Sequence, residues 1–292
     1  MSDYHIPVLL EESVGALVRN PEGVYADATF GGGGHSRALL ARLGARARLL
    51  AFDLDADAAG QAPEDERLTL IRGNFRFIEN FTLLHAPQGL DGILADLGVS
   101  SHQFDTAGRG FSFRFDAPLD MRMNAQGGKT AADIVNSYTQ EELESIFRVY
   151  GEVDGARAVA KSIVAAREKA PVLSTGDLGN AIADALPSFQ VHKQIAKIYQ
   201  ALRIEVNAEM RSLEKFLEGA ARALKPGGII AVITYHSLED RMVKQFIRDR
   251  QNGLEPVNRK PILPSEEEVA ANPRARSAKL RIAQKTEKSW AN

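Results

Sequence analysis

The sequence predicts an α/β fold, a mostly parallel sheet with helices on both faces, interrupted by a helical insertion. Short apolar runs alternate with helical segments up to residue 101, and a further strand-like run, Ile229 to Tyr235, returns only after a long stretch of helical spacing. A third observation locates the ligand. The first apolar run, Tyr25-Ala-Asp-Ala-Thr-Phe30, breaks into Gly31 to Gly34 and then His35.

Glycine lacks a Cβ and tolerates positive φ, so these four residues can turn sharply and present bare backbone N–H groups to a ligand. A helix is predicted from Ser36 to Leu43. The next run, Leu49 to Phe52, ends in Asp53, twenty residues beyond Gly33, where a carboxylate can accept from ribose hydroxyls. The glycine loop by itself does not separate a nicotinamide dinucleotide from S-adenosylmethionine. Leu68 to Phe75 reads as a third strand whose end offers Asn74 and Phe75, an amide and an aromatic face suited to an adenine ring. The fourth strand ends in Asp96-Leu-Gly-Val-Ser-Ser101. It sets an acid and the hydroxyls of Ser100 and Ser101 at the carboxyl edge of the sheet, where open α/β sheets bind ligands.

Beyond this point the pattern changes. Residues 103–129 are rich in Gly, Phe, Asp and Arg without a clear period, and helices are predicted near 139–150, 154–169, 175–186 and 192–203. Thr139 with Glu142 forms a capping box, and Ser174 or Thr175 opens the next helix. From Ile204 a helical spacing runs through Met210, Leu213, Phe216, Leu217 and Ala220 to Leu224, then stops at Lys225-Pro-Gly-Gly228. Ser237 is expected to cap a helix reaching Arg248. Residues 252–272 read as an exposed loop, and Lys279 to Lys285 as a closing strand. The domains are therefore a discontinuous core, 1–103 with 206–292, and a helical insertion, 104–205.

With 292 residues, 44% hydrophobic and 25% charged, the chain has the composition of an ordinary globular protein with a large core. It has no cysteine, which excludes disulfides and thiolate chemistry, and no metal site is expected. No basic segment followed by an apolar run opens the chain, and no stretch of about 18 apolar residues occurs, so a cytoplasmic protein without a membrane partner is expected. The net charge of −2 is unevenly divided. Residues 241–292 carry twelve Lys or Arg against six Asp or Glu, a balance of +6, which leaves −8 for the first 240. The cluster Arg274-Ala-Arg276-Ser-Ala-Lys279-Leu-Arg281 is the sharper part of that basic end, because alternation would aim several cations to one side of an extended strand, toward a polyanion.

Taken together, these motifs resemble the MraW (RsmH) family, S-adenosylmethionine-dependent methyltransferases that modify the N4 amine of a cytidine in the decoding region, the P site, of bacterial 16S ribosomal RNA. The resemblance rests on His5 to Glu12, the glycine loop, Asp96 to Ser101, Arg109 to Phe113, Pro118 to Met123, Gln200 to Asn207, His236 to Arg241 and Pro273 to Ser277, which span nearly the whole chain. Leu224 to Gly228 also resembles the usual entry to the fifth strand of a class I methyltransferase. The resemblance implies a class I, Rossmann-like sheet and S-adenosylmethionine as cofactor. It places Gly33, Gly34 and His35 against that cofactor and Asp53 on its ribose, with Phe75, Asp96 and Gln103 completing the pocket. It further implies 16S rRNA, in the small ribosomal subunit, as partner, with the insertion recognising RNA; a homodimer is compatible with the sequence. Departures from the family pattern are His102 in place of a common proline, Tyr235 in place of phenylalanine, and the stretch Val191 to Tyr199.

A cytosine N4 amine is a poor nucleophile because its lone pair is delocalised into the ring, so the enzyme must align and polarise it. Asp96 is the candidate for accepting a hydrogen bond from that amine, with Ser100, Ser101 and His236 as neighbours that orient the base or take the proton. Asp96 could instead bind only the amine of the cofactor. Phe111, Phe113 and Tyr235 are candidates for stacking on an extruded base. Arg109, Arg114, Arg122, Arg274 and Arg276 are candidates for phosphate contacts. Two rival readings remain at this level. One is an NAD-dependent dehydrogenase, though no hydride-transfer site is seen; the other is a non-catalytic ribosome-binding factor, suggested by the basic end.

Overall fold

The computed structural model describes residues 7–99, 106–186 and 190–287. They form two compact units, one of residues 1–98 with 210–292 and the other of residues 99–209.

The first unit is built on a seven-stranded sheet. Its strands are β1 (Val24–Asp27), β2 (Arg48–Asp53), β3 (Leu68–Arg72), β4 (Leu90–Asp96), β5 (Leu224–Thr234), β6 (Leu254–Pro256) and β7 (Lys279–Lys285), in the order β3-β2-β1-β4-β5-β7-β6. The first five are parallel, and β7 runs antiparallel to both β5 and β6. This is the class I methyltransferase arrangement. The strands read as nearly continuous apolar runs because helices cover both faces, and the two-residue side-chain period sorts each run between two cores. Ala26, Leu50, Phe52, Ile93, Ile230 and Val232 pack on one face under α3 (Ile78–His85), α9 (Glu209–Ala223) and α10 (Ser237–Arg248), where Phe216 and Leu217 complete the layer. Tyr25, Leu49, Leu94, Ala231 and Ile233 pack on the other, under α1 (Leu10–Leu17) and α2 (Gly34–Arg42). Each large side chain wholly buried in these layers contributes roughly 1.5–3 kcal/mol of transfer free energy. The switch point lies between β1 and β4, so the carboxyl ends of β1, β2 and β4 share one edge.

The second unit holds α4 (Ala131–Ser137), α5 (Gln140–Val149), α6 (Ala156–Arg167), α7 (Thr175–Ile182) and α8 (Val191–Asn207) around its own core of Ile146, Phe147, Val159, Ile163, Leu178, Ile198 and Leu202. Capping boxes at Thr130/Asp133, Thr139/Glu142 and Ser174/Asp177 set three of the helix starts.

Four expectations need correction. The helix after the glycine loop starts at Gly34 rather than Ser36, because Gly33 takes φ 73° at the N-cap and turns the chain at once. The helical spacing from Ile204 is two helices. Ala208 breaks it at φ 47°, where the Asn207 amide donates to Met121 O and Arg203 O and accepts from Met123 N–H. Residues 252–272 are not a bare loop, since they contain β6 and α11 (Glu266–Ala271). A three-residue strand and a six-residue polar helix are too short to show a period. Finally, Lys225 to Gly228 lies within β5, where the ladder with β4 shifts between Leu90 and Gly92.

Candidate active site at the sheet edge

Three carboxylates end three neighbouring strands at this edge. Asp27 closes β1 and is wholly buried; its Oδ2 accepts from Ser36 Oγ at 2.6 Å and its Oδ1 from Thr29 N–H at 3.1 Å. Burial pushes this carboxyl above its ordinary range, and His35 and Ser36 only partly offset it. Thr29 Oγ1 in turn accepts from Asp96 N–H at 2.7 Å, which stitches the loop after β1 to the end of β4.

Asp53 closes β2 under the glycine loop. Its Oδ2 accepts from Gly31 N–H and its Oδ1 from Asp55 N–H, both at 2.8 Å. Burial raises its carboxyl, with these two backbone bonds opposing. Gly31 and Gly33 both take positive φ, at 52° and 73°, and a Cβ on Gly33 would stand 2.8 Å from the Phe30 ring. A Cβ on Gly34 would overlap Pro7, whereas one on Gly32 would meet nothing within 4 Å, so the loop is packed from below and open at Gly32.

Asp96 closes β4 between a phenol and an imidazole. Tyr235 O–H donates to its Oδ1 at 2.7 Å, and His35 Nδ1 lies 3.7 Å from its Oδ2. His35 is buried, and its Nε2 lies 3.0 Å from Val8 O. A carbonyl only accepts, so Nε2 carries a hydrogen toward Val8 O. Burial pushes the Asp96 carboxyl up to about 6, against the pull of His35 and Tyr235 and with a further rise from Asp27 and Glu239. About a quarter of its side-chain surface, 24%, stays open.

Around this centre, His236 rather than Ser237 caps α10. Its backbone is extended at φ −135°, its Nδ1 accepts from Glu239 N–H at 3.4 Å, and its Nε2 lies 3.1 Å from Glu239 Oε1. Glu239 Oε2 also accepts from Tyr235 N–H at 2.9 Å. Asn74 spends its Oδ1 on Arg76 N–H, and the Phe75 ring packs edge-on against Phe216 at 5.2 Å. Ser100, Ser101 and Gln103 lie outside the described residues. The contributions of Asp27, Thr29, Ser36, Glu239 and the Tyr235 hydroxyl are not seen by sequence reasoning. One signal was present, since Asp27 ends a strand just as Asp53 and Asp96 do.

The expected arginines are distributed differently from a single basic face. Arg274 and Arg276 lie exposed on the turn 273–277, whereas Lys279 and Arg281 both reach Asp240, at 3.4 and 2.7 Å. The alternating row therefore does not point one way, because the strand starts only at Lys279 and an acid on α10 captures its cations. In the second unit Arg109 donates to Arg122 O and Met123 O, and Arg122 makes a two-pronged pair with Asp120. Arg114 is exposed between Phe113 and Phe115, which are 39% and 57% exposed. Phe111, by contrast, is buried.

Set beside known proteins, residues 2–286 match the MraW methylase family. The chain is 50% identical to the ribosomal RNA small subunit methyltransferase H of Parabacteroides distasonis, over 97% of this chain and 98% of that protein. It is 51% identical to the protein of that name in Bacteroides fragilis, over 97% of each chain, and 49% identical to the one in Flavobacterium johnsoniae, over 97% of this chain and 98% of the other.

Proposed function

Because the chain belongs to the MraW methylase family, we propose that the sheet edge of its first unit methylates the N4 amine of a cytidine in the decoding region of 16S ribosomal RNA, with S-adenosylmethionine as methyl donor. The observation that carries this reading is the convergence of the glycine loop, Asp53 and Asp96 on one edge, with Asp96 clamped between Tyr235 and His35. The donor set fits the cofactor. Asp53 gives one lone pair on each oxygen to a backbone amide and keeps others for ribose hydroxyls, the loop is open at Gly32, and Asp96 is an acceptor suited to an amine. Bound there by the loop, Asp53 and Phe75, the cofactor supplies a methyl group already activated by its sulfonium.

The rest of the task falls to the chain. As N4 takes the methyl group, one N–H bond must break. Asp96 accepts that hydrogen bond first, drawing electron density onto the nitrogen, and then takes the proton as its O–H forms. A carboxyl near 6 suits this work at neutral pH, being ionised yet more basic than an ordinary aspartate. His236 serves at one remove, since it caps α10 and faces Glu239. For RNA, the exposed Arg114, Arg274 and Arg276 contact phosphates and Phe113 supplies a stacking face, while Arg109 and Arg122 shape the loop that carries Phe113 and Arg114. The helical unit recognises the RNA, the substrate is the assembled small subunit, and the protein acts in the cytoplasm.

The test incubates the protein with labelled cofactor and undermethylated small subunits and maps the product by mass spectrometry. N4-methylated cytidine in the decoding region is expected. Label on protein, or on a pyrimidine carbon, rejects the assignment.

A further inference from the structure

We propose that Tyr235 is the positioning residue of the methyl transfer, acting through Asp96: its hydroxyl holds Oδ1 and thereby leaves Oδ2 as the oxygen that receives the amine proton. The proposal rests on the preceding reading of Asp96 as proton acceptor. The contact is built from the sheet outward. Asp96 pairs in parallel register with Ile233, and Leu97 N–H donates to Ile233 O at 3.0 Å, so the chain leaving β5 runs beside the end of β4. Two residues on, Tyr235 N–H is fastened to Glu239 Oε2, and Glu239 is itself buried. Gly98 turns the chain at φ 106°, a conformation that favours glycine, and its Cα side faces the ring, since a Cβ there would be in ordinary contact, 3.5 Å, with Tyr235 Cδ2. The phenol meets Oδ1 at 2.7 Å.

The groups around Asp96 give this bond a distinct role. Asp27 and Glu239 disfavour a charge on Asp96, as does burial itself. The His35 Nδ1 pulls the carboxyl down but lies 3.7 Å from Oδ2, beyond hydrogen-bond reach. Tyr235 is then the described side chain that donates a hydrogen bond to the carboxylate within this cluster. A hydrogen bond to the charged form favours that form, so the phenol keeps Asp96 ionised while orienting it. Its own proton stays in place, because burial and the carboxylate push the phenol well above its ordinary range.

The test is Tyr235→Phe, which keeps the ring and removes the donor. Turnover saturated with both substrates is measured from pH 5.5 to 9, and the Asp96 carboxyl is titrated by carbon NMR. Loss of the donor should move the acid limb and the carboxyl midpoint upward by about one pH unit. Turnover should then fall roughly eightfold at pH 5.5 and roughly threefold at pH 6.5, and match the parent at pH 9. Fluorinated tyrosine at 235, a more acidic donor, should move both downward. A uniform loss across pH with an unmoved midpoint would reduce Tyr235 to packing and overturn the proposal. Altered cofactor affinity with an unmoved limb in saturated turnover would do so as well. Failure of the preceding reading looks different: the parent protein makes no N4-methylated cytidine at any pH, while the carboxyl titration still reports on the Tyr235 bond.

Discussion

At the scale of the residue, the role proposed for Asp96 ties rate and stability to one titration, with opposite signs. Its carboxyl titrates near 6, so the proton acceptor disappears as pH falls through that value, and turnover should drop by about tenfold per unit below it. Stability moves the other way. The folded value lies above the ordinary 3.8, so between 3.8 and about 6 the native state binds more protons than the unfolded chain, and stability falls as pH rises through that window. Above it, the ionised carboxylate is a net burden on the fold. We therefore expect Asp96→Asn to lower kcat by about 10²- to 10⁴-fold and yet to raise Tm at pH 7.5, measured by calorimetry; a lowered Tm would mean that the carboxylate holds the edge together. Asp53→Ala separates binding from chemistry. Calorimetric titration should show cofactor affinity weakened by roughly 10- to 100-fold with saturated turnover little changed, and a collapse of kcat at saturation would contradict the ribose assignment. Both acids are legible in the sequence because each ends an apolar run. The partners of Asp96 are not: the Tyr235 bond joins residues 139 positions apart through the β4/β5 register, which no local pattern encodes.

At the scale of the element, the glycine loop is where sequence and structure agree best, and the reason is steric. Gly33 is required twice over, by φ 73° and by the Phe30 ring 2.8 Å from where a Cβ would sit. Gly33→Ala should destabilise the first unit by about 1–2 kcal/mol through left-handed strain alone, and cofactor affinity should fall further because the N–H groups of the loop are re-aimed. Thermal melts and cofactor titration check this together; unchanged affinity would show that the loop does not seat the cofactor. Elements with long periods or strong caps, such as α5 from Thr139, are legible for similarly local reasons. Those missed are governed by tertiary contact. β6 exists only because β7 pairs with it, and the break at Ala208 follows the Asn207 amide being drawn to Met121 and Met123, more than eighty residues away in sequence.

For the whole molecule, the division of charge separates two tasks. The first 240 residues carry −8, whereas the last 52 carry +6, the side of the balance that favours a polyanion. Within that end, Lys279 and Arg281 pair with Asp240, whereas Arg274 and Arg276 are exposed on the turn before β7, and we take these two as the phosphate contacts to test. That distinction was invisible in the alternating row, which treats all four alike. Replacing Arg274 and Arg276 by Glu should raise KM for small subunits and flatten the dependence of log KM on log salt by about 0.7 per lost phosphate contact, the value for single-stranded RNA. Lys279→Ala, by the same argument, should alter the slope little, because its charge is already committed to Asp240. Cofactor affinity should be unchanged in every variant, since none touches the glycine loop, Asp53 or Asp96. Filter binding from about 50 to 200 mM salt reads the slopes directly. Equal slopes for the double variant and the parent would move the RNA contact away from this end, to the exposed Phe113 and Arg114 of the helical unit.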